Sequence, residues 1–378
     1  RQMCIRDRNY IDLGKDCSTA EINPLFSDSV YIDRLSRIPA IMEMPYNDII
    51  RKFIDMYAGR LRNQVSFMLS ACNFYMPIFE EALDAYGLPL ELRYLPIIES
   101  ALNPSAVSRA GASGLWQFMI GTGKIYGLES NSLVDERRDP IKATWAAARY
   151  LKEMYDIYGD WNLVIAAYNC GPGTINKAIR RANGETDYWK IYNYLPKETR
   201  GYVPAFIAAN YVMTYYCDHN ICPMETNIPA STDTVQVNKN LHFEQIADLC
   251  NVPLDQIKSL NPQYKKQMIP GDSKPYTLRL PIDAISTFID KQDTIYAHRA
   301  DELFRNRKTV AIKEITPSTR KTTTAVAGKG KLTYYTIKSG DTLSTIAGKY
   351  GVTIKDIQRW NGMSNTKIAA GKRLKIYK

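Results

Sequence analysis

The sequence predicts a mainly α-helical domain followed by two small modules, each built as strand, helix, helix, strand. Three observations carry this reading. Over residues 88–216 apolar side chains recur at helical spacing, most clearly Ala147, Tyr150, Leu151, Met154, Tyr155 and Tyr158. Beyond Pro223 the pattern changes to short alternating runs and shorter helices. Within that region an internal repeat lies at an offset of 100 residues. Val237, Ile246, Ala247, Val252, Leu254, Ile257 and Asn261 correspond to Ile337, Ile346, Ala347, Val352, Ile354, Ile357 and Asn361.

In chain order, residues 1–45 are weakly patterned, broken at Asn23-Pro24 and Ile38-Pro39, and are expected to form an extended lead-in. Ile50, Phe53, Ile54, Tyr57 and Leu61 predict an amphipathic helix over 47–72, and a second helix over 75–86 is closed by Gly87. Asp139 as N-cap and Pro140 at the first helical position begin the helix of the 147–158 stripe, which Gly159 and Asp160 end. Residues 204–216 are apolar on all sides and predict a buried helix. A helical domain over 46–222 thus precedes a first module over 230–282, a helical segment over 283–306 and a basic linker over 307–332. The linker lacks the apolar content to fold, and a second module over 333–378 follows it.

The 378-residue chain is 45% apolar and 11% aromatic, ample for real cores. Its formal charge of +10 is uneven: residues 307–378 carry +13, which leaves the rest near −3. A basic tail suits an anionic polymer, an anionic lipid surface or nucleic acid. No helix-turn-helix, zinc-finger or RNA-binding signature accompanies it, so no nucleic-acid partner is expected. The seven cysteines and three histidines show neither a CxxC pair nor ligand spacing, so no metal and no cofactor is expected. Cys217 and Cys222 are close enough in sequence to bridge, and free thiols fit equally well. No apolar run reaches the roughly 18 residues of a membrane span. The chain opens at Arg1 without a signal-like stretch, and Cys4 lacks a lipobox, so any export signal is expected upstream.

Three segments of the helical domain carry candidate chemistry. In Tyr94-Leu-Pro-Ile-Ile-Glu99-Ser100 an acid ends an apolar helix just before Asn103-Pro104. Burial among Leu95 and Ile98 would raise its pKa from about 4.3 toward the roughly 6 of a glycosidase acid in an apolar pocket. The alternative is a helix-end glutamate paired with Arg93 or Arg109. The second segment, Ser108 to Met119, is a glycine-rich turn in which Gln117 can bond sugar hydroxyls or an N-acetyl group, whereas Trp116 suits the core. In the third, Tyr168 can set its hydroxyl beside a carboxyl and Asn169 can fix a neighbouring loop, before the turn at Gly171-Pro-Gly173. Asp135, Glu136 and Asp139 are candidates for a second carboxyl, but their VDERRDP setting suits a helix cap and arginine pairing.

Together these segments resemble the ES, GL(M/W)Q and AYN motifs of the family 1 lytic transglycosylases, in that family's order and approximate spacing. ESALNPSAVSRAGASGLWQFM and VDERRDP are similar to its D-type membrane-bound murein members. The resemblance covers roughly residues 46–216 and implies a lysozyme-like (SLT) helical fold with Glu99 as catalytic acid. It also implies substrate contacts by Ser100, Ser108, Gln117, Met119, Tyr168, Asn169 and Tyr202. The repeats resemble LysM modules, small α+β units of βααβ order. In the second, the loops holding Gly340, Asp341, Thr342 and Leu343 and running from Met363 to Ile368 are implied to contact N-acetylglucosamine. In the first, Asn240-Leu241-His242 stands where Gly340-Asp341-Thr342 stands, a departure that puts its glycan binding in question.

The activity so implied is cleavage of the bond between N-acetylmuramic acid and N-acetylglucosamine without water, leaving 1,6-anhydromuramoyl ends. One carboxyl suffices for this, where ordinary glycosidases use two. Peptidoglycan strands are the expected partner, and the periplasm or outer-membrane side of the cell envelope the expected location. A goose-type lysozyme-like hydrolase and a non-catalytic peptidoglycan-binding scaffold are the alternative readings.

Overall fold

The structure is a computed structural model that describes residues 22–226, 228–229, 231–304, 332–338, 341–363 and 368–377. It divides into two units, Arg1–Thr316 and Pro317–Lys378. The basic linker expected at 307–332 lies outside the described residues except for its last position.

The helical part of the first unit begins with α1 (Asp28–Arg37) inside the stretch expected to be extended. Tertiary contacts hold this helix, not a pattern of its own. Tyr31 is fully buried, with its ring 5.4 Å from that of Tyr211 and the Arg51 guanidinium 4.3 Å above it. The helix expected over 47–72 is two: α2 (Asp48–Ala58), capped by the Asn47 side chain, and α3 (Arg62–Ala85), separated at Gly59. α3 also absorbs the helix expected over 75–86 and runs through Pro77. Val65, Leu69, Cys72, Met76, Phe79 and Leu83 keep one face buried throughout. That burial outweighs the roughly 3 kcal/mol cost of an internal proline.

After α3 come α4 (Leu95–Ser100), α5 (Ile120–Ile125), α6 (Pro140–Tyr158), α7 (Trp161–Cys170), α8 (Pro172–Arg181), α9 (Tyr188–Ile191), α10 (Lys197–Arg200) and α11 (Tyr202–Thr214). α6 starts where the sequence says: the Asp139 carboxylate accepts from the Ile141 and Lys142 N–H groups, and Gly159 ends it at φ +62°. α11 is the pillar of the domain. Val203, Phe206, Ile207, Tyr211 and Val212 are buried around its whole circumference, against α2, α4, α7 and α10.

The first module runs β1 (Thr232–Val237), β2 (Asn240–His242), α12 (Phe243–Cys250), α13 (Leu254–Leu260), β3 (Met268–Pro270) and β4 (Tyr276–Pro281). β1 and β4 pair antiparallel, Thr232 opposite Pro281 and Val237 opposite Tyr276. The segment expected to stand apart at 283–306 instead belongs to this module, as α14 (Ile282–Asp290), α15 (Gln292–Ala297) and α16 (Ala300–Leu303). Phe288 and Ile295 from it are fully buried in the core that Ile246, Ile257 and Leu278 form, because the six short elements before it leave an apolar face to cover. β2 and β3 pair with one another, Leu241 opposite Ile269, with both side chains fully buried.

The second unit contains β5 (Leu332–Thr336), α17 (Leu343–Tyr350), α18 (Ile354–Asn361) and β6 (Arg373–Tyr377), with β5 and β6 antiparallel around a core of Ile337, Leu343, Ile346, Ile357, Leu374 and Ile376. One side chain shows that the two modules are copies. Asn261 Nδ2 donates to the Ile257 and Arg279 carbonyls, and its Oδ1 accepts from the Arg279 N–H. Asn361 makes the same three bonds to Ile357 and Lys375. No disulfide joins Cys217 to Cys222. No helix among the described residues is long and apolar enough to cross a membrane.

Candidate active site

Glu99 stands at the end of α4, where the chain turns abruptly. Ala101 (φ +52°) and Leu102 (φ +57°) are both left-handed without being glycine, a conformation that costs about 1–3 kcal/mol per residue. The surroundings hold it in place. Leu102 is fully buried, and Ser100 Oγ lies 3.0 Å from both the Pro96 and Leu115 carbonyls, joining α4 to the glycine-rich loop.

That loop is shaped by its backbone. Gly114 sits at φ +88°, and a Cβ there would fall 1.7 Å from the Arg137 carbonyl oxygen. Ser108 Oγ accepts from the Ala112 N–H at 3.0 Å. Gln117, itself left-handed at φ +47°, donates through Nε2 to the Gly114 and Ala106 carbonyls at 2.8 and 3.3 Å. Trp116 is fully buried, its Nε1–H bonded to Thr144 Oγ1 at 2.9 Å, so it supports the loop from the core.

A cavity of about 410 Å³ opens over Glu99 and is lined by Ser100, Ser108 and Gln117 together with Tyr57, Gln64 and Met68. Tyr57 comes from α2 and the other two from α3, far away in sequence, and only Tyr57 was visible there, as a member of a helical stripe. Among the described lining residues Glu99 is the one carboxylate. A larger cavity of about 900 Å³, reaching from Phe67 and Tyr75 to Pro253 and Leu260, is lined by none of the candidate site residues.

The expected residues Met119, Tyr168, Asn169 and Tyr202 do not line the Glu99 cavity, and three of them act around it. The Tyr202 hydroxyl donates to Glu99 Oε1. The Tyr168 hydroxyl donates to the Trp116 carbonyl at 2.7 Å, and the Glu99 charge adds to the burial that keeps this phenol protonated. Asn169 Oδ1 accepts from Thr199 Oγ1 at 2.9 Å, tying the end of α7 to α10, directly before Tyr202. Met119 is exposed.

Burial raises the Glu99 pKa from 4.5 to about 7, against the opposing effect of the Tyr202 hydrogen bond. No ion pair holds it among the described residues. Arg93 instead pairs with Glu80 and donates to the Tyr94 hydroxyl. The other three acids are structural. Asp135 is buried against Arg137, Glu136 pairs with Lys142, and Asp139 caps α6.

In the second module Asp341 accepts from the Tyr335 hydroxyl and the Lys338 N–H, both at 2.8 Å, and these bonds hold its carboxyl below the ordinary range. Thr342 caps α17. Leu343 corrects the expectation of a glycan contact. It is the first residue of α17, and its side chain is buried in the module core. Met363 and Ile368 pack part-buried against that core, and Gly340 lies outside the described residues.

Comparison with known proteins matches three family descriptions. Residues 76–191 match the transglycosylase SLT domain, 231–297 the LysM-like domain of lytic transglycosylase MltD, and 335–376 the LysM domain. Membrane-bound lytic murein transglycosylase D of Escherichia coli (strain K12) is 32% identical over 341 residues, spanning 89% of this chain and 70% of that one. The soluble lytic murein transglycosylase of the same strain is 33% identical over 124 residues, 31% of this chain and 19% of its own. The crystal structure of the 70 kDa soluble lytic transglycosylase from Escherichia coli is similar at 29% identity and a TM-score of 0.33. It covers 40% of this chain, which spans about a quarter of that one.

Proposed function

The chain belongs to the lytic transglycosylases built from an SLT domain and LysM modules, and on that premise we propose a D-type murein transglycosylase in which Glu99 alone supplies both proton transfers. Protonated Glu99 donates to the glycosidic oxygen between N-acetylmuramic acid and N-acetylglucosamine as that bond breaks. The muramoyl centre takes on oxocarbenium character. The resulting carboxylate then removes the proton of the muramoyl C6 hydroxyl, whose oxygen closes the 1,6-anhydro ring. The acid ends the cycle protonated, and no water is consumed.

The observation that carries this reading is an acid with a pKa of about 7, standing as the one carboxylate among the described lining residues. A group half protonated near neutrality serves as donor and acceptor in turn. A hydrolase needs a second polar group to hold its water, whereas the C6 hydroxyl is delivered by the substrate itself with the advantage of effective molarity. Asp341 and Thr342 with the loop after Met363 form the proposed glycan-binding edge of the second module. The site of action is proposed to be the periplasm or outer-membrane side of the cell envelope, where the polymer lies.

The test is mass spectrometry of fragments released from purified sacculi in ¹⁸O-labelled water. Ends lighter by one water, resistant to borohydride and free of label are expected. Reducible ends carrying the label would establish a lysozyme-like hydrolase instead.

A further inference from the structure

The first module is bonded into the helical domain at Glu129, which meets Tyr276 and Lys274, and along a line that leads to the Glu99 cavity. Residues 131–135 and 263–265 meet at an antiparallel bridge between Val134 and Tyr264. The Lys265 N–H donates to the Leu133 carbonyl at 2.8 Å, and the Asp135 N–H donates to the Gln263 carbonyl at 2.9 Å. Leu133 and Val134 are buried in the module's own core, so the helical domain lends two side chains to an interior separate from its own. Lys265 Nζ donates to the Asn131 carbonyl at 2.7 Å and stands 3.8 Å from Asp135 Oδ2.

From Asp135 the line continues inward. Its carboxylate, 1% exposed, takes Arg137 in a two-pronged pair with both contacts at 2.8 Å. Arg137 Nη1 donates to the Gly111 and Phe118 carbonyls at 2.8 and 2.9 Å, which bracket the turn carrying Gln117. The Arg137 backbone carbonyl is also the group that Gly114 packs against. A buried pair holds its place only when its remaining donors and acceptors are satisfied, and this one has the loop's carbonyls on one side and a lysine at the other. Meanwhile the strand pairing of β2 with β3 ties together the two loops that correspond to the glycan edge of the second module.

We propose that the first module is a structural wall of the catalytic unit and that Lys265 is a positioning residue, setting the Gln117 side of the Glu99 cavity through Asp135 and Arg137. This rests on the reading of that cavity as the active site. The module's contribution is therefore geometric, expressed in how well the cavity receives a glycan and not in glycan capture of its own.

The experiment uses the full chain with Lys265→Met, Lys265→Arg, Gln117→Ala and the Lys265→Met/Gln117→Ala double variant. Kinetics are measured on soluble uncross-linked glycan strands, and hydrogen exchange on the amides of residues 111–118. Lys265→Met is expected to raise KM by about 5- to 10-fold while kcat and its pH dependence stay within about twofold. Lys265→Arg recovers most of the difference. The double variant is expected to bind no worse than Gln117→Ala alone, because the two changes act on one element. Exchange at residues 111–118 is expected to quicken in Lys265→Met. That readout holds whether or not Glu99 is the acid, so it separates failure of the coupling from failure of the active-site reading. If the methionine variant unfolds, Lys265→Gln keeps a donor toward Asn131, removes the charge facing Asp135, and is measured in its place. Unchanged KM and unchanged exchange in a folded variant, or strictly additive KM effects, would overturn the proposal.

Discussion

The Tyr202 hydroxyl donates to Glu99 Oε1 across 103 positions of sequence, from the first residue of α11 to the end of α4. This bond lowers a pKa that burial has raised. Tyr202→Phe removes the lowering contribution, so Glu99 should hold its proton to higher pH. The alkaline limb of kcat/KM is expected to move upward from about 7, with kcat down by about 10- to 100-fold because the carboxylate formed in the first step loses its donor. A pH–rate series on a soluble glycan checks both, and an unmoved limb would contradict the assignment.

Glu99→Gln should abolish turnover beyond the roughly 10²–10⁴ of a single acid–base contribution, since in the proposed mechanism one group serves both steps. It should also stabilise the protein at alkaline pH. The folded pKa of about 7 lies above the unfolded 4.5, so the wild type is penalised as pH rises from 4.5 through 7. Above that window the glutamine variant is expected to gain at most about 3 kcal/mol, and below pH 4.5 nothing. Urea unfolding at pH 4 and pH 8 measures the difference.

Gly114→Ala places a methyl group into the Arg137 carbonyl at a backbone angle that L-residues avoid. Backbone, not a flexible side chain, has to move, and a loss of about 3 kcal/mol or more is expected. Thermal unfolding reports the loss, and Gly111→Ala, with nothing within 4 Å of its added Cβ, serves as the comparison for positive φ alone.

Deletion of residues 307–378 removes the +13 tail and the second module. Binding to insoluble sacculi is expected to fall, and added salt to mimic part of the fall, while turnover of short soluble glycans changes by less than about twofold. Collapse of short-substrate turnover would mean that the tail takes part in the chemistry.

What the sequence disclosed followed from local physics. Asp139, Pro140 and Gly159 mark α6 because capping and φ preference act within a few residues. The all-round apolar character of α11 announces burial from any direction. The motif residues Glu99, Ser100, Ser108 and Gln117 do meet at one cavity. Its opposite wall of Tyr57, Gln64 and Met68 was illegible, since nothing at those positions says which helix they face. α1 was missed because its stability lies in Tyr31 meeting Tyr211, 180 residues away. β2 and β3 were missed because three-residue strands carry no period to read. Leu343 was misplaced because a loop motif and a helix's first core residue adjoin in the same stretch.

The strand pair of the first module also bears on which of the two copies is left to bind. A duplicated binder usually gains avidity, each copy holding the polymer while the other lets go. Here Leu241 and Ile269 face one another across a strand pair where the corresponding edges of the sister copy carry Asp341 and the loop after Met363. On the proposed reading, the first module turns this edge into its own core, and of the two described modules the second is the one left to hold glycan.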